Sequence, residues 1–443
     1  MTATSFDMLL IAGRVVTPGG IVRADIGIRA GRIAAIGDLA HHDAGERLDL
    51  RGLHVLPGVI DTQVHFREPG NEHKEDLETG SRAAVLGGVV AVFEMPNTSP
   101  PTTTAEALAD KLRRARGRMW CDHAFYVGAT AENVAALPEL ERTPGVAGIK
   151  VFMGSSTGSL LIPDDATLER VLTAARRRVA IHAEDEDRLI ARKGFIQPGQ
   201  PASHPVWRDE ETALRATRRV VALAERLHRR IHVLHVTTAE EMAYLARHKE
   251  WASVEVTPQH LTLEAPDCYR RLGSLAQMNP PIRTRRHRAA LWQGLRDGVV
   301  DVIGSDHAPH TREEKARAYP QSPSGMPGVQ TLLPLLLHHH AQGRVTLQRL
   351  VDLTSAGPAR LFGLLGKGRI AVGYDADFSI VDLKARWTIT EDWLASRAGW
   401  SPFTGMTITG RPVGTIIRGQ RVMWEGTLVG EPVGRPLRFA EAV

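Results

Sequence analysis

Imidazoles, acids and one lysine recur at the ends of apolar runs along this chain. "VIDTQVHFREPG" closes on Asp61, Gln63, His65 and Arg67, and "VVAVFEMPN" on Asn97. "GIKVFM" carries Lys150, "AIHAED" His182, "HVLHVTT" His235 and "IGSDHAPHT" Asp306. A single buried histidine is usually a satisfied core residue, but so many polar groups at equivalent places point to one site. Imidazole nitrogen and carboxylate oxygen are zinc donors, and three or four of them with an open position make a catalytic site rather than a structural one. His65, His182, His235 and Asp306 could hold one or two ions that lower the pKa of water towards neutrality. Asp306 could take the proton of that water and pass it to a leaving nitrogen, so the chemistry is hydrolysis of an amide-like C–N bond. Lys150 fits less simply. An ammonium would be repelled by cations, whereas a neutral amine desolvated among Ile149, Val151 and Phe152 can react with carbon dioxide to give an anionic carbamate. A lysine snorkelling out of its strand is the plainer alternative.

The elements that must position these groups alternate. Eight strand-like runs, "VIDTQVHF", "VVAVFEMP", "HAFYVGA", "GIKVFM", "RVAIHAE", "IHVLHVT", "SVEVT" and "VDVIGSD", are separated by helical stretches. One such stretch is Glu211 to His228, where Ala213, Ala216, Val220, Ala224 and Leu227 recur at three- and four-residue intervals and Arg215, Arg218 and Arg226 face outward. This is the α/β pattern of a (β/α)8 TIM barrel, whose strand C-termini form one rim where catalytic groups collect. The first fifty residues and the segments "KGRIAVGYDADFSIVDL" and "RPVGTIIRGQRVMWEGTLVG" read instead as short strands broken by Gly and Asp. The two ends resemble each other more than the middle. The expected organisation is a small β-sandwich from residues 1–54 plus 366–443, and a barrel over 55–365.

At 443 residues, with 43% hydrophobic and 24% charged residues, the chain has ample material for a large core and a smaller companion. Cys121 and Cys268 match no metal or redox spacing, which points to a reduced, cytoplasmic setting. No apolar stretch approaches the roughly 18–20 residues of a membrane-spanning helix, and no signal peptide is evident. A net charge of +5 raises the question of nucleic acid. The basic clusters Arg113 to Arg118 and Arg283 to Arg288 lie in or beside helical segments, so solvated faces and a mild pull on anionic small molecules explain the charge better. The run His338 to His340 reads as a helix edge.

Taken together, the rim motifs with "KEDLETGSRAAVLGGVVAVFEMPNT", "VEVTPQHL", "MNPPIR" and "GRIAVGYDADFSIVDL" resemble the amidohydrolases, and within them the dihydroorotases, over nearly the whole chain. The resemblance implies a (β/α)8 barrel carrying a β-sandwich, and reversible interconversion of N-carbamoyl-L-aspartate and L-dihydroorotate in pyrimidine biosynthesis. It implies His65, carboxylated Lys150, His182, His235 and Asp306 as ligands of one or two zinc ions, with Asp306 also the acid/base. It implies Arg67, Asn97, His310 and Asn279 as substrate-binding residues, Arg67 gripping a carboxylate through paired hydrogen bonds. Family habit adds a homodimer with a small-molecule substrate and no nucleic-acid or membrane partner.

One position departs from the family pattern. Most amidohydrolases carry His-x-His on the first strand, and here Gln63 holds the first place. A glutamine oxygen is a neutral and weaker zinc ligand, so the pair His65 and Asp306 should bind metal less tightly than Lys150, His182 and His235. Either one metal suffices or the second binds loosely, or the chain is a non-catalytic, dihydroorotase-like scaffold subunit. Gln259 similarly replaces a histidine beside His260, whose role stays open. A hydantoinase or allantoinase would share the metal chemistry, but allantoinases tend to carry Asn in place of Arg67; the plainer alternative for Arg67 is a rim salt bridge to Glu68 or Glu94. "GSSTG", Gly154 to Gly158, fits a serine nucleophile at Ser156, yet "SLLIPDD" does not supply the helix such an elbow needs. The stretch Thr311 to Gly328 reads as a loop covering the site.

Overall fold

In the computed structural model, which describes residues 5–17, 19–156 and 160–440, the eight apolar runs form eight parallel strands hydrogen-bonded in chain order. They are Val59–Val64, Val89–Glu94, Asp122–Gly128, Val146–Phe152, Val179–His182, Ile231–Val233, Ala252–Val256 and Val302–Ile303. Every residue in them is buried, as expected of parallel strands covered on both faces. The ring closes where Val64 bridges His307 and the His65 N–H donates to the His307 carbonyl at 2.7 Å. The fold is thus the expected (β/α)8 barrel.

The helix expected over Glu211 to His228 spans Glu210–Arg226. Asp209 caps it, accepting the Thr212 N–H at 3.0 Å. Its stripe Ala213, Ala216, Val220 and Ala224 is buried while Arg215, Arg218 and Arg226 are exposed. His338 to His340 fall in the last turn of the helix Leu332–Ala341, as a helix edge.

Strands from both ends of the chain build the sandwich. A four-stranded sheet runs in the order Arg32–Gly37, Asp25–Arg29, Phe6–Ile11, Ala44–Asp49. In the seven-stranded sheet, Phe378–Thr388 pairs with His54–Pro57 on one side and Thr407–Ile417 on the other. That register, Phe378 opposite Pro57 and Val381 opposite His54, joins the two ends. Met8, Ile26, Val55, Phe378 and Ile416 pack between the sheets. Gly58 links sandwich to barrel at a place where a Cβ would collide with Val90 and crowd Asp377. The first part of "KGRIAVGYDADFSIVDL" forms no strand; regular pairing starts at Phe378. The loop reading of Thr311 to Gly328 holds apart from one turn of helix, Arg312–Lys315. No helix among the described residues is long and apolar enough to cross a membrane.

Candidate active site

Nine of the residues singled out above line one cavity at the C-terminal mouth of the barrel: Gln63, His65, Arg67, Asn97, Lys150, His182, His235, Asn279 and Asp306. It is narrow, with about 20 Å³ of free volume. Phe152, Ser156, Ala308, Ser324 and Gly325 complete the wall, the last two from the expected covering loop.

The imidazoles sit in two places. His182 Nδ1 and His235 Nε2 face each other at 3.0 Å. His182 Nε2 lies 2.9 Å from Glu184 Oε2, so the carboxylate fixes the proton on Nε2 and leaves the Nδ1 lone pair towards His235. Arg208 in turn grips Glu184 through Nε at 3.1 Å and a terminal nitrogen at 2.5 Å. Burial alone would raise the Glu184 carboxyl, but Arg208 and His182 hold it well below the usual carboxylate range. In the second place, His65 Nε2 and the Gln63 amide both stand 3.1 Å from Asp306 Oδ1, and His65 Nδ1 is 2.7 Å from Asn97 Oδ1. Burial lowers the pKa of His65, His182 and His235, keeping all three neutral with lone pairs to offer.

Lys150 is 1% exposed, and its Nζ has no hydrogen-bond partner. Burial pushes the amine down to about 7, with Asp306 opposing. It lies 4.5 Å from the Phe152 ring centroid, so the chain does not snorkel to water. His235 Nδ1 and Gln63 Oε1 are likewise buried without partners. Unpaired buried polar atoms are costly and call for a ligand or a function. Among the described residues no group of three or more His, Cys, Asp or Glu gathers around one point. The site offers two pairs, and Lys150 acts electrostatically on both, on His65 and Asp306 and on His182 and His235. Neutral imidazoles facing each other, a carboxylate and an unpaired amine fit a divalent cation.

Arg67 is 4% exposed and pairs with no carboxylate among the described residues. Its Nε donates to the Pro309 carbonyl at 3.0 Å, and a terminal nitrogen stands 3.3 Å from His310 Nε2. Burial lowers its pKa to about 10. The salt bridge to Glu68 or Glu94 is not formed: Glu68 pairs with Arg114 and Arg118, and Glu94 with Lys111. His310 does not line the cavity; it stands behind Arg67, with Lys74 Nζ 3.2 Å from its Nδ1.

Asn279 Oδ1 accepts from His204 Nε2 at 2.9 Å, and its amide donates to Ser156 Oγ at 3.3 Å. Ser156 therefore has an amide, not a base, as its neighbour. Thr157 and Gly158 of the "GSSTG" motif lie outside the described residues, and Leu160 to Asp164 are not helical. His260 lies in the short helix Pro258–Thr262 rather than at a strand end and is satisfied there, Nε2 to the Pro280 carbonyl at 3.0 Å, while the Gln259 amide donates to the Ser305 carbonyl at 2.6 Å. Asp61 faces inward, accepting the Ser305 and Gln63 N–H groups, and burial raises it to about 7. Arg283, expected on a solvated face, is buried and donates to the carbonyls of Arg208 and Asp209.

Backbone geometry marks the site as well. Of eight described non-glycine residues with positive φ, three line this cavity: Arg67 (64°), His235 (35°) and Asp306 (44°). Each conformation costs on the order of 1–3 kcal/mol and persists only where the surroundings enforce it. Such strain gathers where side chains are aimed for chemistry.

A barrel whose rim combines paired imidazoles, an aspartate and a buried lysine defines a class, and the chain belongs to the amidohydrolase family, whose model matches residues 54–422. Within it, the chain is 38% identical to a dihydroorotase of Methanosarcina acetivorans over 425 residues, covering 92% of this chain and 90% of that one. It is 38% identical to a dihydroorotase of Halobacterium salinarum over 441 residues (98% and 99%). It is 35% identical to an allantoinase of Deinococcus radiodurans over 447 residues (98% and 99%). Among solved structures, L-hydantoinase (dihydropyrimidinase) from Arthrobacter aurescens superposes with a TM-score of 0.93 at 30% identity, covering 98% and 99% of the two chains.

Proposed function

We propose that the chain is a dihydroorotase that interconverts L-dihydroorotate and N-carbamoyl-L-aspartate. The observation that carries this reading is Arg67, a buried guanidinium at the cavity wall with no carboxylate of its own. A substrate carboxylate would supply the missing charge, and neither an uncharged hydantoin ring nor allantoin has one. His310 and the Pro309 carbonyl hold Arg67 in place, and Asn97 and Asn279 border the space for the ring.

His182 and His235, with Lys150 as its carbamate, would hold one zinc ion; His65 and Asp306 would hold a second, more loosely because Gln63 stands where an imidazole normally does. Zinc bound there supplies Lewis acidity and a more acidic water. Asp306, oriented by the Gln63 amide, accepts the proton of the attacking water. It returns that proton to the ring nitrogen as the C–N bond breaks, and runs the same transfer backwards for ring closure. Glu184 keeps the His182 proton on Nε2. Ser324 and Gly325 shield the reacting amide from bulk water. Residues 55–365 would make up the catalytic barrel, with 1–54 plus 366–443 as the β-rich unit and Gly58 as the joint.

The test measures zinc content and hydrolysis of dihydroorotate, allantoin and an unsubstituted hydantoin for the parent, Gln63→His and Arg67→Ala. Two charge-assisted hydrogen bonds at about 1.5–3 kcal/mol each predict a loss in kcat/KM of at least ~100-fold on dihydroorotate for Arg67→Ala. Hydantoin turnover should change little, and Gln63→His should raise zinc occupancy. Equal losses on charged and uncharged rings would remove the carboxylate argument. Zinc-loaded protein inactive on all three rings would favour the scaffold reading.

A further inference from the structure

A second cavity, of about 1070 Å³, lies at the opposite end of the barrel and shares no lining residue with the candidate active site. It is just above the roughly 300–1,000 Å³ typical of small-molecule sites. Five arginines line it: Arg142, Arg176, Arg177, Arg229 and Arg438. None forms an ion pair among the described residues. Arg177 donates to the Val146 carbonyl and Arg229 to the Thr173 carbonyl, both neutral partners. The one acid in the wall, Glu141, accepts from the backbone N–H groups of Arg176 and Arg177 and offsets only part of their side-chain charge, one carboxylate against five cations. Part of the wall is apolar: Leu365 is 46% exposed, and the Phe439 ring lies 4.9 Å from the Arg177 guanidinium.

Like charges gathered in excess of their counter-charge repel one another, and a further anion would relieve that. All five cations are arginine, whose planar fork matches phosphate oxygens two at a time. We propose that this cavity binds a small ligand carrying two or more phosphates and a flat ring, the chemistry of a nucleoside di- or triphosphate. The phosphates sit among the arginines and the ring against Phe439 and Leu365. A bounded cleft beside the C-terminal segment suits a small molecule better than a duplex.

Gly145, Arg177 and Arg229 stand one, two and two residues before the strands Val146–Phe152, Val179–His182 and Ile231–Val233. Those same strands lead to Lys150, His182 and His235. At about 3.3 Å per residue, the two sites are some 16–20 Å apart along shared elements.

Calorimetric titration of the full chain at low salt tests the proposal, with ATP, inorganic tripolyphosphate, adenosine and a short DNA duplex as probes. ATP should bind saturably at one site, tripolyphosphate more weakly, and adenosine below detection. Arg142→Ala/Arg176→Ala, at two exposed positions whose side chains have no described partner, should weaken ATP at least ~10-fold with an unchanged melting temperature. Phe439→Leu should weaken ATP but not tripolyphosphate. Absence of saturable ATP binding, or an ATP affinity indifferent to the double substitution, would overturn the site. Tripolyphosphate binding as tightly as ATP would overturn the ring contact. Duplex DNA binding more tightly than ATP, through the same arginines, would replace the cleft with a polyanion surface.

Discussion

Glu184→Gln changes one atom and confronts the site with a choice it cannot resolve. The carboxylate accepts from His182 on one side and from Arg208 on the other, and the two side chains that share it, His182 and Arg208, are 2% and 3% exposed. A glutamine can turn its oxygen to His182, but its NH2 then meets the Arg208 guanidinium, donor against donor. If it turns the other way, its NH2 faces His182 Nε2, and the imidazole proton must move to Nδ1, the atom 3.0 Å from His235 Nε2. The first arrangement leaves a buried guanidinium short of its anion, at a cost of up to about 3–5 kcal/mol. The Ser155 carbonyl, which accepts from Arg208 at 2.7 Å, lessens that cost. The second removes a lone pair the proposed zinc site needs. Loss of a carboxylate behind a metal-binding histidine typically lowers affinity 10–100-fold, about 1.4–2.8 kcal/mol. Zinc affinity measured by competition against a chelator should fall by that factor, with dihydroorotate turnover falling at subsaturating zinc. Zinc affinity within about twofold of the parent would refute the assignment of Glu184 as the group that sets the His182 tautomer.

Other substitutions probe parts of the same framework. Lys111→Met strips the buried Glu94 of its cation; burial already raises Glu94 to about 7, so protonation can limit the damage. Urea denaturation should show a loss near 3 kcal/mol, the lower end of the range for a broken buried pair, and a loss under ~1 kcal/mol would contradict it. Gly325→Ala places a Cβ against the Ala308 carbonyl at a φ of 134°, beside the cavity; kcat/KM should fall ~10–100-fold from about 1–3 kcal/mol of strain, and unchanged kinetics would count against a fixed covering loop. Burial opposes ionisation of Asp209, yet hydrogen bonds from Arg188 and Thr212 lower its pKa to about 2, against an unfolded value of about 3.9. Its contribution is therefore present above pH ~4 and lost as pH falls towards 2. Asp209→Asn should be less stable than the parent at pH 7 and match it near pH 2; a pH-independent difference would show that charge is not the cause.

The barrel was legible because each strand is a run buried on both faces and each helix repeats its apolar stripe. Glu210–Arg226 lies within two residues of the range its alanines and valines indicate. The sandwich was legible only as a likeness between the ends, since nothing local says that Phe378 will face Pro57. Polar residues at strand ends led to the cavity, but the groups that orient them came from farther away. Glu184 stands two residues past His182 in "AIHAED", where the spacing could have drawn notice. Arg208 is 24 residues further along the chain, and only folding brings it to Glu184. Arg283 was misread because a run of arginines looks solvated whatever each one does. Positive φ at Arg67, His235 and Asp306 has no signature in residue type.

Those three bent positions set durability against usefulness. Glycine, or asparagine with its tolerance for left-handed backbone, would sit there at less conformational cost than arginine, histidine or aspartate. Selection of this protein for heat resistance alone should therefore drift at 67, 235 and 306 towards residues that relax the chain and silence the enzyme. A hardened version that still works will have drawn its gains from elsewhere in the molecule.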